Sequence, residues 1–285
     1  MEKDVLRRQV APKSVLDISV PKPIATSVEF SRAGASSESE HIVHQIDNLE
    51  LPAFLQVAAD FGAERYGYVV TPNVDHLIRC HEDPSYHSIY RAATYVLLDS
   101  RFAAYLLLVV KGLRLPVCPG SDVLPALLEK VVGPCDRLVL IGGSSQQAQT
   151  LERNYGLRNL RHHNPPMGFI NDPAAVRDCL EFIEEASPFR FCFLAVGAPQ
   201  QERIAHQLMA RDRARGLALC LGASLNFVTG VERRAPVWMR RIGSEWLYRL
   251  MQDPKRLGQR YLIRGPRIFG HLRRARIVLR HTAAV

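Results

Sequence analysis

The chain has 285 residues, enough for one large domain or two small ones, and 47% of them are hydrophobic, which supports a full core. The charge of +9 is uneven: residues 233–285 hold 14 Lys and Arg against 2 Asp and Glu, a net +12, leaving −3 for residues 1–232. Six scattered cysteines with no Cys-x-x-Cys pair speak against a zinc site or a disulfide framework, and the longest uncharged apolar run, residues 102–110, falls far short of the ~20 residues that span a bilayer.

In chain order, residues 1–38 read as a flexible arm. Pro12, Pro21, Pro23 and a Ser/Gly/Ala/Glu-rich stretch over 31–40 offer little to bury. Charges at Glu2, Lys3, Asp4, Arg7 and Arg8, with no apolar core, speak against a secretory leader. Ile42, Val43 and Ile46 suggest a short strand, and residues 51–61 carry apolar side chains at helical spacing, with Gly62 closing the turn. Tyr68, Val69 and Val70 form an apolar strand that Pro72 stops, since proline cannot donate to a ladder. A helix from about Val74 to Tyr90 returns the chain to a second apolar run, residues 95–98, that ends on Asp99. Strand, helix, strand brings Thr71, Asn73 and Asp99 to the carboxyl edge of a parallel sheet, where such sheets bind ligands. On spacing alone Asp99 is either a turn former or a general base.

Residues 102–110 read as a buried helix, with a strand as the alternative. Residues 115–118 read as a short strand, Pro119-Gly120 as a turn, and Ser121 as the cap of a helix over 122–132. A strand over 138–141 enters Gly142-Gly143-Ser144-Ser145 and a helix, an arrangement that admits a phosphate at the helix start but is common without one. Adjacent His162 and His163 point to opposite sides of extended backbone and make a poor metal chelate. A helix over 172–186 starts at Asn171 or Asp172. Strands over 190–196 and 217–221 end at Gly197-Ala198-Pro199-Gln200-Gln201-Glu202 and Gly222-Ala223-Ser224-Leu225-Asn226-Phe227. The alternation defines an α/β fold: a doubly wound, mostly parallel sheet with helices on both faces and a basic helical C-terminal appendage. The division is an arm (1–38), an α/β body (39–232) and an arginine-rich helical tail (233–285).

In the tail, Trp238, Ile242, Trp246 and Leu250 recur every four residues, as one packing stripe would. Beyond Pro254 and Gly265-Pro266, apolar residues interleave with arginines, which suits a membrane-surface helix or an amphipathic helix packed on the body. Such a tail serves nucleic acid, an anionic membrane surface or a phosphorylated ligand, or is a solvated basic face. No Gly-x-Gly-x-x-Gly follows a strand, which disfavours a nicotinamide-dependent oxidoreductase.

Several stretches coincide with one family. Thr71-Pro72-Asn73-Val74-Asp75-His76-Leu77, Gly120-Ser121-Asp122, Gly197-Ala198-Pro199-Gln200-Gln201-Glu202, Gly222 to Phe227, Arg234-Ala235-Pro236, Glu245 to Leu250 and Pro254-x-Arg256-Leu257 resemble, in order, motifs of the WecG/TagA/CpsF glycosyltransferases. The resemblance implies transfer of a sugar from a UDP-sugar to a polyprenyl-diphosphate-linked saccharide in surface polysaccharide or cell-wall assembly, with inversion and with no metal or other cofactor. It implies a cytoplasmic enzyme held at the anionic inner face of the cell membrane, with a homo-oligomer as an open prospect and no nucleic-acid partner. By the same resemblance Asp99 is the general base. Thr71 and Asn73 line the site, Gln201 contacts the donor, and Arg249 and Arg256 reach the nucleotide diphosphate. The chain departs from the family's usual Pro-Asp-Gly, having Leu98-Asp99-Ser100-Arg101, and carries Asn226 where Asp is frequent. The absence of any Asp-x-Asp fits the substitution of arginines for a metal, because guanidinium forks pair with phosphate oxygens at two points.

Overall fold

The structure, a computed structural model, describes residues 42–258 and 265–280; the arm assigned to residues 1–38 lies outside the described residues, as does 259–264 in the tail. β1 (Val43–Asp47) and α1 (Leu51–Asp60) lead into β2 (Tyr66–Val70). The single helix expected next is two, α2 (Val74–Glu82) and α3 (Pro84–Ala92). Pro84 has no N–H to extend the first, and the Asp83 carboxylate caps the second by accepting from the Ser85 and Tyr86 N–H groups. β3 (Tyr95–Val96) is followed by α4 (Arg101–Lys111), which settles residues 102–110 as helix. Residues 115–118 form no strand. Cys118 donates to the Leu98 carbonyl at 2.9 Å, but Pro116 and Pro119 lack the donors a ladder needs.

α5 (Gly120–Lys130) begins a residue before the expected cap. Then come β4 (Leu138–Ile141), α6 (Ser145–Tyr155), β5 (Leu160–His163) and α7 (Pro173–Glu185), the last capped by Asp172. β6 (Phe191–Leu194), α8 (Gln200–Arg211), β7 (Gly216–Cys220) and the short α9 (Ser224–Val228) complete the body. The tail holds α10 (Val237–Arg241), α11 (Glu245–Gln252), α12 (Pro254–Gly258), α13 (Ile268–Arg274) and β8 (Arg276–Arg280).

Six strands form a parallel sheet in the order β3-β2-β7-β6-β4-β5. Its side chains alternate between two cores, as the pleat requires. Val69, Leu140, Phe193 and Leu219 meet α1 and α5 on one face, through residues such as Phe54 and Leu127. Tyr68, Val139, Cys192 and Ala218 meet α3, α7 and α8 on the other, through Tyr86, Leu180 and Ile204. Burial pushes the Cys118 and Cys179 thiols up to about 12, so both behave as small core residues rather than nucleophiles.

The end of the chain differs from the helical tail expected. Residues 276–280 are a strand, β8, which pairs in parallel with β1 as a separate two-stranded sheet. Alternating Ile277 and Leu279 between arginines fits a half-buried strand better than a helix face. Residues 265–280 do not stand apart from the body: Ile268 and Leu272 are buried with Ile46, Leu77, Leu98 and Leu107 in a third core. Nor do the four residues from Trp238 to Leu250 form one stripe. Gly243, at φ +74°, ends α10, and Trp238 and Ile242 are 62% and 70% exposed.

An ion pair holds β8 in place, and a second polar cluster lies on the neighbouring elements. Arg280 forms a two-point ion pair with Asp47, which is almost fully buried, and Asp47 also accepts from the Val96 N–H of β3 at 2.6 Å. Beside it four histidines converge from four elements. His44 Nε2 and His81 Nε2 lie 3.0 Å apart, His271 stacks on His81 at 4.6 Å, and His87 donates to the Val43 carbonyl. Burial, then the neighbouring histidines, depress His44 to about 3 and His81 to about 4 from 6.5.

Arg280→Ala removes the cationic partner of a buried carboxylate and is expected to destabilise the protein by about 3–5 kcal/mol, read as a fall in Tm and denaturant midpoint. Depressed histidines bind fewer protons in the folded than in the unfolded chain. Their contribution is therefore full above pH 6.5 and is lost as pH falls towards about 4 and then 3. Stability against urea should fall across that window, and less steeply in His81→Gln.

Candidate active site

Four neighbouring strands, β3, β2, β7 and β6, deliver their carboxyl ends to one edge, where a cavity of about 460 Å³ opens. Thr71 and Asn73 follow β2, Asp99 follows β3, and Gln201 lies in the first turn of the helix after β6. All four line this cavity, together with Arg249 of α11. Arg256 falls in α12, and its side chain lies outside the described residues.

Each side chain is set by local bonding. The Asp99 N–H donates to the Pro72 carbonyl, and its Oδ1 accepts from the Gly120 N–H at 2.8 Å, so the half-buried carboxylate sits at the amino end of α5. Thr71 Oγ1 donates to the Cys220 carbonyl at 3.0 Å and ties β2 to β7 just beyond their ladder. Asn73 caps α2: its Oδ1 accepts from Asp75 and His76 N–H groups, and its own N–H donates to His76 Nδ1.

Gln201 is a framework residue as much as a lining one. It is buried, its Oε1 accepts from the Gly222 N–H at 2.9 Å, and its Nε2 donates to Glu202 at 2.8 Å. Gly222 has φ +54°, which a side chain would strain, so the amide fixes the turn after β7 where it borders the cavity. Glu202 is fully buried, and burial raises its carboxyl to about 7.

The cavity also gathers cations that the sequence reading did not single out. Arg101, the first residue of α4, and Arg240 of α10 line it beside Arg249. Arg249 lies over the Phe227 ring at 5.0 Å, and Arg240 Nε is buried without a hydrogen-bond partner among the described residues. Arg234, by contrast, is engaged by Asp122 at 2.7 Å. Composition flagged the tail as basic, and the motif placed Arg101 two residues after Asp99. Neither signal tells which arginine faces inward, because that depends on where Gly243 turns the chain.

Two other sequence readings fall elsewhere. The Gly142-Gly143 turn does not line the cavity; Gly143 packs against Leu225, and Ser144 and Gln147 close a capping box on α6. His162 faces the carbonyls of Gly142 and Gly143 while His163 packs on Phe182, so the two rings part as expected.

A parallel sheet whose crevice gathers Asp75, Asp99 and Glu245 with Arg101, Arg240 and Arg249 defines a class: an α/β protein with a polar, charged ligand site at the carboxyl edge of its strands. The chain belongs to the glycosyl transferase WecG/TagA/CpsF family, whose model matches residues 41–282. It is similar to an N-acetylglucosaminyldiphosphoundecaprenol N-acetyl-beta-D-mannosaminyltransferase of Bacillus spizizenii, 27% identical over 192 residues that cover 66% of this chain and 72% of the relative.

Proposed function

We propose that this protein transfers a hexose derivative from a UDP-sugar to a saccharide carried on a polyprenyl diphosphate, with inversion and without a metal ion, in surface or cell-wall polymer assembly. The observation that carries the reading is the meeting of Asp99 with Thr71, Asn73, Gln201 and Arg249 around one cavity. The B. spizizenii relative, named for an undecaprenyl-diphosphate acceptor, supports the same substrate class.

Inverting transfer is a single displacement and needs one base. Asp99 takes the proton of the acceptor hydroxyl as its oxygen attacks the anomeric carbon. The bond from that carbon to the diphosphate oxygen breaks on the opposite face, and UDP departs with the electron pair. Arg249 and Arg240 stand where they can balance the charge developing on the diphosphate, the task a metal performs in other sugar transferases. Arg256 is assigned the same task by its motif.

The acceptor is a lipid, so the enzyme works at a membrane. Among the described residues no helix is long and apolar enough to cross one. Trp238, Ile242 and Met251 are exposed beside Arg233 and Arg241, a mixture that suits an anionic lipid surface. We assign this face to peripheral docking at the inner side of the cell membrane.

Asp99→Asn should keep the thermal shift given by UDP and lower kcat by roughly 10²–10⁴; an unimpaired variant removes the base assignment. Trp238→Ser with Ile242→Ser should lower co-sedimentation with anionic vesicles, most clearly at raised salt, and leave UDP binding intact. Equal sedimentation would place the lipid-facing surface elsewhere.

A further inference from the structure

One feature of the cavity rim is not used by the reaction above. α4 begins inside the cavity, with Arg101 and Phe102 in its lining, and runs out into solvent. One face, Ala103, Leu106 and Leu107, is buried against Ile268 and Leu272 of α13. The outward face is apolar as well. Phe102, Tyr105 and Val109 recur at helical spacing on one stripe, and Leu108 lies beside it. Tyr105 and Val109 are each 62% exposed, and Leu108 is 42% exposed. A helix that merely covers a core carries polar residues there, so a continuous apolar row marks a binding face.

The stripe continues the cavity rather than forming a separate patch. Phe102 packs on Trp246 at 6.0 Å, and Trp246 and Phe269 line the cavity too, with Phe269 still 48% exposed. Gly243, in the turn between α10 and α11, lies against Arg101 and Phe102, roofing the point where α4 leaves the cavity. At that point Arg101 lines the cavity. The order outward from Asp99 is thus carboxylate, guanidinium, aromatic gate and apolar stripe, which matches the order of a sugar, its diphosphate and a long hydrocarbon.

Resting on the function proposed above, we propose that α4 is the acceptor's lipid subsite: Arg101 takes the diphosphate, and the isoprenoid chain runs out over Phe102, Tyr105 and Val109. A folded protein partner fits this path less well, because the stripe narrows into the cavity and is flanked there by one cation and aromatic rings.

The test compares two acceptors bearing the same sugar diphosphate, one on undecaprenol in detergent micelles and one on a short, water-soluble alkyl chain. Tyr105→Gln with Val109→Gln should raise KM for the long-chain acceptor about tenfold, the scale of withdrawing two apolar contacts. KM for the short-chain acceptor and the thermal shift by UDP should move less than about twofold. Arg101→Gln should raise KM for both acceptors and keep the UDP shift, with Arg101→Lys recovering part of the loss. The placement is overturned if the double variant affects both acceptors alike or neither. It is also overturned if the double variant loses only vesicle sedimentation, which would make α4 a bilayer contact, or only changes the mass seen by light scattering, which would make it an interface between copies. A wild-type enzyme that transfers to neither acceptor overturns the function itself, and this placement with it.

Discussion

The structure turns on one buried carboxylate. Asp47 accepts the fork of Arg280 from the last described strand and the Val96 N–H from β3, three residues before Asp99. A charge so enclosed is tolerated only when its oxygens are filled by matched donors. Arg280 therefore anchors, through Asp47, the carboxyl end of β3, from which the chain runs on to Asp99. Around this tie the third core forms, with Ile268 and Leu272 under α2 and α4, and the helices carrying the inward arginines are held between two fixed points.

This makes the cavity a product of two parts of the chain. The parallel sheet supplies Asp99 and the framework, through bonds such as Thr71 to Cys220 and Gln201 to Gly222. The tail supplies cations and aromatic rings, through Arg240, Arg249 and Trp246. The division follows from strength of packing. Sheet ends between two cores place a side chain firmly, whereas half-buried short helices such as α10 and α11 suit groups that meet a large ligand on entry and let it leave.

Much of this was legible beforehand because it rests on local pattern. Tyr68 to Val70, residues 138–141 and 217–221 are β-branched or apolar runs bounded by Pro or Gly, and they brought Thr71, Asn73 and Asp99 to one edge. What was misread depends on distant partners. Residues 276–280 looked helical among arginines because their strand partner lies at the other end of the chain. Trp238 and Ile242 looked buried because a four-residue spacing ignores the turn at Gly243. Residues 115–118 have strand-like composition, but their prolines deny the sheet its donors. The pair Asp47–Arg280 and the meeting of His44, His81, His87 and His271 carry no sequence signal, since no rule of spacing links positions so far apart.

The parallel pairing of β1 with β8 also ties together parts of the chain that are far apart in sequence. Asp47 and Arg280 are separated by 233 positions, so the contact closes a loop of nearly the whole chain, a slow and late event. Before that loop closes, the sheet can assemble with its Asp99 edge uncovered, but the arginine-bearing segment has no anchor. A chain without residues 276–280 would keep Asp99 at the sheet edge with no fixed neighbour to hold the arginines against it.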